Sequence, residues 1–136
     1  MRSRLLPLLL LMLSGNIQAF EFPIEIIEFI DNARVVASIN ESDIDKTSYW
    51  HPFEGAPPLT MTDALDAIHE YLAADPDLSN ATLSGIELKQ IPHHEKYWHY
   101  LVRMQSRATD KPGFRYFIVL MNGKVIPGLR EPQTVK

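Results

Sequence analysis

The chain of 136 residues has no cysteine. Disulfides, thiol chemistry and cysteine-ligated metals are excluded with it, as is a lipid anchor on an N-terminal cysteine. Long hydrophobic runs are missing too. Leu5 to Leu13 is apolar apart from Pro7, far short of the roughly 20 residues that cross a bilayer. There is no basic run, and the formal charge is −4. That balance suits neither nucleic acid nor an anionic membrane surface. No serine stands in a Gly-x-Ser-x-Gly setting, and no glycine-rich loop could cradle a phosphate.

What the N-terminus does have is a leader pattern. Arg2 and Arg4 precede the apolar run, and Ser14-Gly15-Asn16 break it. Ile17-Gln18-Ala19 then places a small residue just before Phe20. We read residues 1–19 as a cleavable signal peptide, so the expected location is periplasmic or secreted, with no membrane insertion after cleavage. Removing residues 1–19 takes two arginines and no acid, so the charge goes from −4 to −6. The remainder suits one domain, residues 20–130, with a loose polar tail at 131–136. Without disulfides, that domain relies on its hydrophobic core.

Residues 24–39 read as an N-terminal β-hairpin about the turn dipeptide Asp31-Asn32, with Ala33 to Ile39 rich in β-formers. Residues 40–59 form a long proline- and aromatic-bearing loop. Thr60 is a good N-cap with Asp63 at the capping-box position. Met61, Ala64, Leu65, Ile68, Tyr71 and Leu72 then recur at helical spacing, which predicts a helix over 61–74. After Asn80 the period switches to alternation. Strands are expected at 83–91, 97–105 and 114–121, with a short fourth from Lys124. Gly85 marks a bulge, and Asn122-Gly123 is a type I′ turn signal. The strand at 114–121 is apolar on both faces, so it should be central. The fold expected is α+β: one helix on a curled antiparallel sheet of three to five strands. A small β-barrel plugged by the helix is the alternative.

Four features fall in the block 60–127: the small-residue helix Thr60 to Ile68, Ile86-Glu87-Leu88, Tyr97 to Val102, and Phe117 to Val125. With them the block resembles a PepSY-like module of exported bacterial proteins, in the wider cystatin-like class. The resemblance implies a helix packed across a curled sheet and a domain that binds or restrains partners, often peptidases, without catalysis. It transfers no functional residue to a numbered position, and residues 20–59 lie outside it.

The remaining chemistry is incomplete. His93-His94-Glu95 with His99 resembles a zinc set, but Trp98 stands where a helical His-Glu-x-x-His would need its second histidine. We read a polar turn there, with His99 directed to solvent opposite Trp98. Asp43-x-Asp45-x-Thr47 with Glu54 lacks the glycine of a calcium loop and contains Pro52. Asp63, Asp66 and Glu70 read as a solvated helix face. The inward strand positions are read as almost wholly apolar, which leaves an enzymatic cone domain without an acid–base pair. We therefore assign no catalytic residue, no metal and no cofactor. Tyr49, Trp50, Phe53 and Trp98 are the partner-binding candidates, either as core packing or as an interface. The expected function is binding a protein or peptide in the cell envelope. An enzymatic or small-molecule-binding cone, or a structural envelope protein, are the alternatives.

Overall fold

The computed structural model describes residues 22–45, 48–108, 110 and 113–132. Residues 1–21, which include the expected signal peptide, lie outside them. Among the described residues the fold is α+β, with one α-helix and two antiparallel sheets.

β1 (Ile24–Ile30) and β2 (Ala33–Ile39) pair antiparallel in register from Ile24↔Ile39 to Ile30↔Ala33. Asp31 and Asn32 between them both have positive φ, 51° and 58°. That is the backbone of a type I′ turn, which Asx side chains tolerate better than most. Ile24, Ile26, Ala37 and Ile39 point inward and are buried.

α1 (Met61–Ala73) starts where Thr60 Oγ1 accepts the Asp63 N–H at 3.1 Å. Its buried residues are Ala64, Ile68 and Leu72, the spine of the expected apolar face. Met61 and Tyr71 sit on the edge of that face and stay partly exposed.

β3 (Thr82–Ile91), β4 (His94–Ser106), β5 (Gly113–Leu120) and β6 (Val125–Pro127) form the second sheet in that order. The register slips between Leu83 and Gly85, so Ser84 is the bulged residue. From Tyr116 to Leu120 β5 is buried on both faces, because the sheet is covered on each side at that strand. Tyr100, Val102, Met104, Phe117 and Val119 meet α1. Tyr97, Leu101, Ile118 and Leu120 meet β1 and β2. The molecule therefore has three layers: helix, four-stranded sheet, three-stranded sheet.

Three expectations need correction. Instead of one sheet of three to five strands, the described residues form sheets of three and four. The cause lies at Gly128, where the chain leaves β5 and bends onto β2. There the Gly128 N–H still bonds the Tyr116 carbonyl at 2.8 Å. Of the loose tail expected at 131–136, residues 131 and 132 are strand. Leu129–Pro132 is a seventh strand, β7, paired with β2, and residues 133–136 lie outside the described set. Asn122-Gly123 is not a type I′ turn, since only Gly123 has positive φ, 86°. Leu120 and Lys124 close a three-residue loop instead. Asn122 is held at negative φ while its side chain bonds both the Asp43 carbonyl and the Lys124 N–H.

Candidate functional site

The loop between residues 48 and 59 is fastened to β4 at both ends. Trp50 N–H bonds the Lys96 carbonyl at 3.2 Å, and Tyr100 Oη donates to the Leu59 carbonyl at 2.7 Å. Tyr49 meets Tyr97 edge-on at 4.8 Å, and the Tyr97 hydroxyl donates to the Tyr49 oxygen at 2.9 Å. Burial, helped by that bond, pushes the Tyr97 phenol well above its ordinary range. Trp50 meets Trp98 edge-on at 5.3 Å, and its Nε1 donates to the Gly55 carbonyl at 3.2 Å. The indole N–H of Trp98 has no hydrogen-bond partner among the described residues.

Between these anchors the chain makes a tight turn. His51 carbonyl accepts the Glu54 N–H at 3.2 Å. Pro52 takes the second place and Phe53 the third, with φ of 72°. This is the arrangement of a type II turn, whose third place normally goes to glycine or asparagine. A phenylalanine there costs roughly 1–2 kcal/mol of backbone strain. Its ring gains nothing from burial, because Phe53 is 104% exposed. The four candidates thus divide. Tyr49 is tied to its own core, Trp50 and Trp98 form a half-buried aromatic base, and Phe53 projects from the tip.

The histidine cluster is not assembled. His93 occupies the left-handed place of a turn with Pro92, at φ 64°, and His94 packs on Tyr97. Burial, then the neighbouring His93, lowers the pKa of His94. His99 is not directed to solvent: it is fully buried, 0% exposed. Alternation does put it on the face away from Trp98, but the three-stranded sheet covers that face. Neither ring nitrogen makes a well-formed hydrogen bond among the described residues. Burial pushes its imidazole down to about 4, against smaller upward pulls from the Tyr100 backbone and Glu28. Among the described residues no three His, Asp or Glu side chains gather as a metal site. Asp43 belongs to the cap of a short 3-10 turn, Glu41–Asp43, and lies 3.7 Å from Lys124 Nζ. Thr47 lies outside the described residues.

The inward strand positions are less apolar than expected. Between the sheets, Glu28 pairs with Lys89, and Asp31 pairs with Arg103 Nη2 at 2.7 Å. The Tyr116 hydroxyl donates to the same Asp31 oxygen. That bond first, then Arg103, holds the Asp31 carboxyl below its ordinary value. Burial first, then Asp31, raises the Tyr116 phenol. The Arg103 guanidinium also stacks on Phe114, 3.5 Å from the ring centre. The sequence reading missed this group. Its signal was Tyr97 and Leu101 alternating with His99 and Arg103, since two large apolar residues on one strand face mark that face as covered.

No family model, curated protein or solved structure matches the chain.

Proposed function

We propose that this domain is a non-catalytic binding module, exported to the periplasm or medium, that binds or restrains a protein or peptide partner of the cell envelope. Within this reading the chain is a PepSY-like, cystatin-like domain: one helix on a curled sheet, preceded by an N-terminal hairpin. The leader pattern of residues 1–19 supports export, and the helix-then-strands order over 60–127 supports the class.

One observation carries the binding reading. Phe53 is a large apolar residue, wholly exposed, in a backbone conformation that phenylalanine resists, on a loop pinned at both ends. Both costs fall on the free protein and neither is offset by packing. Strain of this kind recurs where a side chain is presented to a partner. A rigid aromatic offers large contact area with few torsions to freeze, and Trp50 and Trp98 extend the apolar surface behind it. The titratable groups argue the same way. Burial and pairing move His99, Asp31 and Tyr116 away from neutral pH, opposite to the tuning of a general acid or base.

The test is affinity capture from envelope extract, with wild type beside Phe53→Gly. Glycine suits the turn, so the variant keeps its fold. A partner held by wild type and lost by Phe53→Gly is the expected result. Equal capture by both overturns the role of Phe53. N-terminal sequencing of the recovered protein tests export; a start at Phe20 is expected, and a start at Met1 contradicts it.

A further inference from the structure

A second surface lies at the other end of β4. α1 lies mainly over β5 and β6. Strands stand about 4.8 Å apart and a helix is about 10 Å wide, so one helix cannot cover four strands. The uncovered part of the sheet is apolar. Leu83 is 47% exposed, and Ile86 and Leu88 are only half-buried. Along the flank of α1 this leaves an open groove of about 450 Å³, lined by Leu65, Ile68, Leu72, Ala81, Leu83 and Met104 among others.

The electrostatics around the groove are one-sided. From Met61 to Ser84, which supplies most of the lining, the chain has no lysine or arginine, but has Asp63, Asp66, Glu70, Asp75 and Asp77. On a helix of 3.6 residues per turn, Asp66 stands three residues before His69 and Glu70 three before Ala73, which sets each carboxylate beside a residue that lines the groove. Asp75 and Asp77 follow in the turn after α1, at the negative end of the helix dipole. The nearest cations along the strands are Arg103, which faces the other way and pairs with Asp31, Arg115, opposite Met104 in register, and Arg107, just past the end of β4. None of them lines the groove.

We propose that this groove receives an amphipathic helix of a partner protein, with an apolar stripe of leucine-like residues bordered by lysine or arginine. The apolar floor takes the stripe, and the carboxylates of α1 and its following turn take the basic border. A helix suits the open width better than an added strand does. The bulge at Ser84 throws the outer edge of β3 out of register beside the groove, which blunts strand pairing there. The proposal concerns a different surface from the Phe53 loop and does not rest on it.

The test uses three synthetic four-turn helical peptides on purified protein. One carries a leucine stripe with lysine flanks, one the same stripe with glutamate flanks, and one alanine in place of leucine with lysine flanks. Binding is followed by fluorescence anisotropy and mapped by backbone amide shifts. The leucine–lysine peptide is expected to bind about tenfold or more tightly than either control. Shifts should centre on Leu65, Ile68 and Leu83. Leu83→Arg, and separately Asp66→Lys with Glu70→Lys, should each weaken binding about tenfold. The charge pair is exposed, so it remains informative if Leu83→Arg fails to fold. Four results overturn the proposal: no peptide binding, equal binding by either control, shifts centred on the Phe53 loop, or shifts centred on the outer face of β1 and β7. Self-association of the purified protein that Leu83→Arg abolishes assigns the groove to a second copy and overturns it as well.

Discussion

Gly128 passes so close to Val35 that a Cβ on the glycine would stand 2.7 Å from Val35 Cγ1. The same atom would lie 3.1 Å from the Tyr116 carbonyl oxygen. The strand that links the two sheets fits between β2 and β5 because residue 128 has no side chain. Gly128→Ala should therefore cost about 1–3 kcal/mol, the usual penalty for overpacking. Gly85 has open space at the equivalent point and no positive φ. Gly85→Ala should change stability by less than about 1 kcal/mol. Urea denaturation of the two variants measures the contrast.

His99 predicts a pH dependence. Its folded pKa, about 4, lies below the ordinary 6.5. The unfolded chain therefore binds a proton first as pH falls, and the native state loses stability between about pH 6.5 and pH 4. The full loss from this group is on the order of 3 kcal/mol. Glu28 and Lys89 flank the site and pull in opposite directions. His99→Leu should flatten the slope of unfolding free energy across that window, as read from denaturation at a series of pH values. A slope that persists in the variant would place the sensitivity elsewhere.

The aromatic loop predicts opposite outcomes for two neighbours. Phe53→Gly should leave stability within about 1 kcal/mol of wild type, because lost strain offsets the greater freedom of the unfolded glycine. Trp50→Ala removes the edge contact to Trp98 and part of the loop anchor, and should cost about 1–3 kcal/mol. Thermal unfolding distinguishes them.

Thr60→Ala should cost about 1 kcal/mol, because the Asp63 N–H loses its acceptor at the start of α1. Thr60→Ser keeps the oxygen and should recover most of it. Circular dichroism during thermal melting gives both values.

How far the fold could be read in advance depended on where each instruction sits. The helix was legible because its signals are local: a cap at Thr60 and apolar residues at three- and four-residue steps. The central place of β5 was legible because Phe117 to Leu120 is apolar on both faces. β7 was not. Leu129–Pro132 is only four residues long, exposed from Leu129 to Glu131, and becomes a strand through its pairing with β2. His99 failed for a related reason. Alternation gave the correct side of the strand, but whether that side meets water depends on a second layer built from residues far away in sequence. At the candidate site, residue type marked Tyr49, Trp50, Phe53 and Trp98 together. Their division into core, base and tip depends on the Pro52–Phe53 turn and the Tyr49–Tyr97 bond, which no local pattern specifies.

The pairing of β2 with β7 also governs when the domain can fold. Arg34 and Glu131 meet across that pair although they lie 97 positions apart. The three-stranded sheet cannot be completed until Leu129–Pro132, the last of the described residues to leave the ribosome, are available. During synthesis β2 keeps one edge open, and non-local strand pairing of this kind is slow to form. The order of synthesis therefore places closure of this sheet after every residue of the four-stranded sheet has been made.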